Sequence, residues 1–367
     1  MNPAAIDTDQ RPFVLVWEMT QACDLACKHC RADAQPDRDP AELTTAEGRQ
    51  FLRDVRAFGE DQLLVLSGGD PLARPDTIDL VEYGTDLGLR VTLTPSGTSS
   101  LTPATVDALA SAGLRRLAVS IDGPTPAIHD AFRQEPGSFE ATVRAARAAR
   151  DRGLPLQVNT TVCRETVDSL PQVATLVADL DAVLWSVFFL VPVGRGTELD
   201  PIPPPQAEQV MHWLVEVAAD ADFGVKTTEA PHYRRVAAQA AADATDAPAA
   251  DRIGRRAGIN AGNGFAFVSH RGELFPSGFL PVAVGDVTDT PVTDLYRDAP
   301  LFERLRDPDA LTGKCGACEY RRLCGGSRSR AYACTGDPLA ADPLCAYDPP
   351  DYDGPTPTQR VTGEAGD

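Results

Sequence analysis

The sequence predicts an α/β protein of parallel strands followed by a smaller module, and three observations predict it. Six short apolar runs alternate with segments of helical periodicity between residues 13 and 191. Strands separated by helices imply parallel pairing with right-handed crossovers. A hairpin pattern then begins near residue 259, and the cysteines gather toward the two ends of the chain. A partial or full α/β barrel and a doubly wound sheet both satisfy this pattern. In either, chemistry collects at the carboxyl ends of the strands.

The elements follow in order. Residues 1–11 are polar and read as a loose tail. FVLVW (13–17) is the first apolar run, and TTAEGRQFLRDVRAFG (44–59) has helical spacing behind a threonine cap. QLLVLS (62–67), a Gly-Gly turn and a helix near 76–87 come next, then RVTLTPS (90–96) and a helix near 103–112. RRLAVSID (115–122), a helix near 138–152, LQVNTTV (156–162), a helix near 167–180 and VLWSVFFLV (183–191) complete the series. PIPPPQ (201–206) breaks the chain before the helix AEQVMHWLVEVAAD. The Ala/Asp-rich stretch 237–252 reads as a surface loop or a frayed helix. GFAFVSHRGELFPSGF reads as a hairpin about Ser269–Gly272. The tail from 349 is polar and rich in proline and glycine, a composition that cannot bury a core.

Hydrophobic residues make up 43% of the 367, enough for one large domain and a smaller one. The net charge of −19 repels phosphate backbones and anionic lipid, which argues against nucleic acid and membrane surfaces as partners. Only three residues are lysine (Lys28, Lys226 and Lys314), and such an acid-rich, lysine-poor surface suits a high-salt interior or a GC-rich genome. No run of about 18 apolar residues exists to cross a membrane. The start lacks a basic region and an apolar core, so it does not read as a signal peptide, and a cytoplasmic location is expected.

Nine cysteines in a reducing compartment require another explanation than disulfides. Cys23, Cys27 and Cys30 stand in the loop after the first strand, and five more lie between 315 and 345. Three closely spaced thiolates suit an iron–sulfur cluster, and a four-iron cubane held by three leaves one iron open to a ligand. Zinc with His29 as fourth ligand is the competing reading, but the three-then-two spacing differs from the paired two-residue gaps of a zinc knuckle.

WEMTQACDLACKHC, with SGGDP after the second strand, resembles the signature of the radical S-adenosylmethionine (SAM) superfamily. The resemblance implies a partial (β/α)6 TIM-like barrel. It also implies a [4Fe-4S] cluster on Cys23, Cys27 and Cys30 whose open iron binds SAM, and reductive cleavage to a 5′-deoxyadenosyl radical that takes a hydrogen atom from substrate. An electron donor such as ferredoxin or flavodoxin is implied with it. Gly68, Gly69 and Asp70 then face SAM, with aspartate where the family usually has glutamate. Ser120 and Arg133 face its ribose and carboxylate, His29 offers backbone to the adenine, and Ser96 and Asn159 follow by position. Asp122 either joins them or caps the next turn. VPVGRG (191–196) resembles the family's adenine wall.

Cys315, Cys318, Cys324 and Cys345 resemble the auxiliary-cluster extension called the SPASM domain and imply a second [4Fe-4S] cluster, structural zinc being the alternative. Cys334 and Cys163 are read as unligated. Ser277 stands where a cysteine is common, none follows Gly285, and Arg328 occupies another such place, so one auxiliary cluster is expected rather than two. The resulting division is a barrel at 12–200, a helical, low-complexity connector at 201–258, a SPASM/twitch-like iron–sulfur domain at 259–348, and tails at 1–11 and 349–367.

FPSGF and the stretch from Gly313 to Cys345 resemble the branch that modifies tetrapyrroles. That implies a heme-type substrate whose propionate or acetate side chains are decarboxylated or trimmed. Arg195, Arg255, Arg256, Arg328 and Arg330 are the candidates for pairing its carboxylates, or else solvated surface charges. Peptide-modifying enzymes of the superfamily are one alternative. They usually keep the full cysteine set and often carry a leader-binding domain, for which 22 residues before Cys23 are too few. A non-catalytic iron–sulfur electron carrier is the other alternative, and the intact three-cysteine motif with SGGDP speaks against it.

Overall fold

The computed structural model describes residues 6–243, 259–350, 352–355 and 357–358. Seven parallel strands run in chain order: β1 (Val14–Glu18), β2 (Leu63–Ser67), β3 (Arg90–Leu93), β4 (Arg116–Ser120), β5 (Leu156–Val162), β6 (Leu184–Phe189) and β7 (Gly224–Thr228). Each pairs with the next, as a barrel wall requires. The seventh strand is a departure from the six expected. GVKTT carries a lysine, two threonines and a glycine and lies half-exposed at the sheet edge, so it shows no apolar run.

Helices cover one face of the sheet. Thr45–Arg56 begins in a capping box, with Thr44 accepting from the Glu47 amide and the Glu47 carboxylate accepting from the Thr44 amide. Leu15, Trp17, Leu64, Leu66, Val91, Leu93, Leu117 and Val119 point toward the helices and are essentially unexposed. Their neighbours Val14, Val16, Leu63, Val65 and Ser67 point the other way and are half-exposed. The strand period of two thus separates a sealed outer core from a solvent-reachable inner face.

The hairpin falls where the sequence places it. β8 (Asn260–Ala261) and β9 (Gly264–Val268) lead into β10 (Glu273–Phe275), with Gly272 donating to the Ser269 carbonyl at the turn. β11 (Gly285–Asp286) follows. β9 pairs in parallel with β1, so this module continues the barrel sheet beyond its first strand. The start of the chain packs rather than hanging loose from residue 8, since Tyr296 donates its hydroxyl proton to the Thr8 carbonyl at 2.6 Å. Within 237–252, the helix His232–Asp243 covers the first part and the rest lies outside the described residues. No described helix is long and apolar enough to cross a membrane.

Candidate active site

Cys23, Cys27 and Cys30 occupy the loop after β1, packed with Leu25 and Ala34. Each sulfur faces an N–H group. The Leu25 amide lies 3.4 Å from Cys23, an Arg133 guanidinium nitrogen 3.7 Å from Cys27, and the Ala34 amide 3.4 Å from Cys30. N–H groups aimed at thiolates are the outer shell that tunes an iron–sulfur site. Burial pushes the unligated Cys23 thiol up to about 11 and raises Cys27 against the pull of Arg133. These sulfurs become thiolates when a metal takes the proton's place. Three thiols on one short loop, each with an N–H group beside its sulfur, form a donor set that fits a cluster, where each thiolate takes its own iron.

Gly68 and Gly69 hold the cysteine loop. The Gly69 amide donates to the Thr20 carbonyl at 2.8 Å and the Asp70 amide to the Ala22 carbonyl at 2.6 Å. A Cβ on Gly69 would stand 2.4 Å from Ala22 O and 2.5 Å from Gln21 O, so only glycine allows the contact. Gly68 sits at φ 155° with Thr20 O as close. Asp70 is buried and its carboxylate is already engaged by the Leu72 and Ser96 amides and the Thr98 hydroxyl. It ties β2 to the loop after β3 and offers little to an ammonium. Ser96 donates to the Gly69 carbonyl at 2.9 Å and lies 3.4 Å from Cys23 Sγ.

Arg133 binds Asp122 through Nε at 2.7 Å, and Asp122 also accepts from the Thr161 amide. Burial alone would raise the Asp122 carboxyl, yet Arg133 holds it below the usual carboxylate range. Asp122 therefore fixes the guanidinium beside Cys27 and caps no turn. Ser120 and Asn159 are register partners on the inner face of β4 and β5, and Asn159 Oδ1 accepts from Gln157 at 2.7 Å. His29 stacks on Phe132 at 4.7 Å between ring centroids, and burial drops its pKa to about 3, which keeps the ring neutral.

Cys315, Cys318, Cys324 and Cys345 line one cavity together with His232, Arg235 and Tyr347. The Asp342 amide points at Cys315 and the Gly326 amide at Cys324, both at 3.4 Å. His232 lowers the Cys345 thiol in spite of burial. Four sulfurs around one cavity, with N–H groups aimed at two of them, fit a closed cluster. Cys163 is buried against Thr166, Phe132 and Leu190, and Cys334 is not among the cavity residues.

Three of the proposed substrate arginines serve the scaffold instead. Arg195 donates to Cys27 O, Ala34 O and Asp33 and so braces the cysteine loop. Arg328 is buried, bound to the Gly326, Pro338 and Ala340 carbonyls and 3.5 Å from Cys315 Sγ. Arg330 is buried between Asp342 and the Phe189 and Leu190 carbonyls. In each case main-chain carbonyls engage a guanidinium that charge counting alone would leave free. Arg255 and Arg256 lie outside the described residues.

Sequence reasoning missed two groups. Ser277, Ser327 and Ser329 all donate to the Glu229 carboxylate, at the edge where β7 ends. Glu18, at the end of β1, binds Arg31 at 2.6 Å and lies 3.1 Å from His270, whose other nitrogen faces Asp39. A charged residue ending an apolar strand was the available signal for Glu18.

The Radical SAM superfamily matches residues 17–177. The AdoMet-dependent heme synthase of Methanosarcina barkeri is 42% identical to this chain over 92% of the chain and 97% of its own length. That of Nitratidesulfovibrio vulgaris is 39% identical over 92% of both. The crystal structure of Streptococcus suis SuiB bound to S-adenosylmethionine aligns with a TM-score of 0.70 at 16% identity, over 92% of this chain and 78% of that one. That likeness shows the fold, a partial barrel with a C-terminal extension. With the cysteine loop, the Gly-Gly turn and a relative aligned almost end to end, the chain is an enzyme of the Radical SAM superfamily.

Proposed function

We propose that the chain uses SAM to modify carboxylate side chains of a heme-type tetrapyrrole, most simply by converting propionates to alkenes with loss of carbon dioxide. The observation that carries this reading is the 42% identity to an AdoMet-dependent heme synthase along 97% of that protein. When bound, the cluster on Cys23, Cys27 and Cys30 supplies the electron that turns SAM into a hydrogen-abstracting 5′-deoxyadenosyl radical. The chain's residues position that chemistry. Arg133, held by Asp122, meets the SAM carboxylate; Ser120, Asn159 and Ser96 line the nucleoside; Gly68, Gly69 and Asp70 shape the loop beneath it; and His29 offers its backbone. One electron enters with each SAM cleaved and one is released as carbon dioxide departs. A donor such as reduced ferredoxin or flavodoxin therefore supplies electrons that the product step returns.

Cys315, Cys318, Cys324 and Cys345 would hold a single auxiliary [4Fe-4S] cluster. Support comes from their shared cavity and from Ser277, which binds Glu229 where a further thiolate is common. On this reading residues 12–200 carry SAM, 259–348 carry the second cluster and 201–258 join them. The thiol-rich chain belongs in a reducing compartment such as the cytoplasm. Anaerobic turnover with iron-coproporphyrin III and with didecarboxysiroheme, followed by mass analysis, tests the reading. Loss of carbon dioxide or of a whole acid side chain from either supports it. Unchanged masses beside active SAM cleavage would overturn it and favour a peptide substrate, while no SAM cleavage by reconstituted protein would favour an electron carrier.

A further inference from the structure

The inner face of the barrel carries an unclaimed pair of cations. Arg90 opens β3 and Arg116 opens β4, and both alternate with residues sealed against the helices, Val91 on one strand and Leu117 on the other. Both guanidinium stems therefore rise from the inner face. Thr92 is the register partner of Arg116, so Arg90 sits two residues, or about 7 Å, further along the same face. Arg116 reaches the Gln157 side chain at 3.2 Å. Among the described residues neither arginine has a carboxylate within ion-pair distance. Burial depresses Arg116 and the neighbouring Arg90 charge depresses it further, as expected of two cations side by side on one face. Such a pair is out of keeping with a chain of net charge −19, which has acid to spare for pairing.

The face around them is of the opposite kind. Val14 and Leu63 stand level with Arg90, Val16 and Val65 level with Arg116, all half-exposed, and Leu184 and Phe188 are half-exposed on the same face of β6. From Arg116 to Ser120, at the rim beside the cysteine loop, the strand rises about 13 Å. Cations set among apolar side chains, with the reactive centre at the far end of the same face, suit a flat apolar ligand with carboxylates on its far edge.

We propose that Arg90 and Arg116 form a carboxylate subsite at the foot of this inner face, gripping the far side chains of the substrate while a near one is presented to the rim. This rests on the tetrapyrrole reading and adds to it the residues that orient the macrocycle. A substrate anchored at its far edge is held in one register, and which side chain reacts is set by which carboxylates the arginine pair holds.

The test compares anaerobic, iron-reconstituted wild type with Arg90→Gln/Arg116→Gln by absorbance titration. The probes are iron-coproporphyrin III and its tetramethyl ester, with iron content and circular dichroism as folding controls. Wild type should prefer the free acid by roughly tenfold or more, and the double variant should lose that preference while still binding the ester. Arg90→Lys/Arg116→Lys, which keeps charge without the fork, should recover part of it and serves if the glutamine pair fails to fold. A preference undiminished in the glutamine pair overturns the subsite and leaves the tetrapyrrole reading standing. Wild type that binds neither probe overturns both.

Discussion

His232 and Asp342 form an ion pair sealed inside the protein, with Nε2 3.3 Å from a carboxylate oxygen and neither side chain reaching solvent. Burial works against a charged imidazole, but Asp342 outweighs it and lifts His232 to about 10. The ring lines the four-cysteine cavity beside Cys345. A cation beside a cluster ligand favours the reduced, more negative state of the cluster. His232→Gln should therefore move the auxiliary midpoint potential to more negative values in an EPR-monitored titration. An unmoved potential would show that the imidazole is only a packing element.

The buried Arg133–Asp122 pair makes a second prediction. Arg133→Met leaves Asp122 charged and enclosed without its partner, which should cost about 3–5 kcal/mol. Thermal unfolding of the apo protein reads this directly. Asp122 keeps its bond from the Thr161 amide in the variant, so the loss should fall toward the lower end of that range. Arg133→Lys should recover part of the stability.

Gly69→Ala should disable the cysteine loop without touching a sulfur. Its methyl group would meet two main-chain oxygens of the loop, Ala22 O and Gln21 O, and backbone cannot step aside as a side chain can. A displacement near 1 Å at a reactive centre costs on the order of a hundredfold in rate. Release of 5′-deoxyadenosine should fall by about that much, and an unaffected rate would separate the turn from the chemistry.

The Glu18–His270–Asp39 network sets a pH window. Burial lowers His270, but Glu18 and Asp39 more than offset it and its folded pKa is raised. Its contribution is whole below the usual value near 6.5 and fades as pH climbs through the folded value. Glu18 is lowered by Arg31 and His270 against burial, and Asp39 is lowered to about 2, chiefly by the Ala41 amide and Arg271. Their contributions are present above about 4.5 and fade as pH falls. The gap in melting temperature between wild type and His270→Gln should be widest between about pH 4.5 and 6.5 and narrow as pH rises through the raised folded value. A gap that stays constant across this range would remove the charge from the account.

The barrel was legible because six of its seven strands are buried on the helix side and write themselves as apolar runs. β7 escaped because Lys226 and Thr228 lie on its half-exposed inner face and an edge strand needs little apolar content. The metal donors were legible because thiolate spacing is local. The arginines were not. Arg195, Arg328 and Arg330 look free in one dimension and are bound by carbonyls distant in sequence. Arg90 and Arg116 read as ordinary strand ends until parallel pairing puts them on one face. Asp70 also changed meaning, since its donors Ser96 and Thr98 come from the next strand's loop.

The most direct measurement is mass analysis of iron-coproporphyrin III after anaerobic turnover with SAM and a reductant, with 5′-deoxyadenosine counted in the same tube. The account predicts that carbon dioxide is lost from propionate side chains and that one 5′-deoxyadenosine forms for each one lost. Abundant 5′-deoxyadenosine beside an unaltered porphyrin would contradict it.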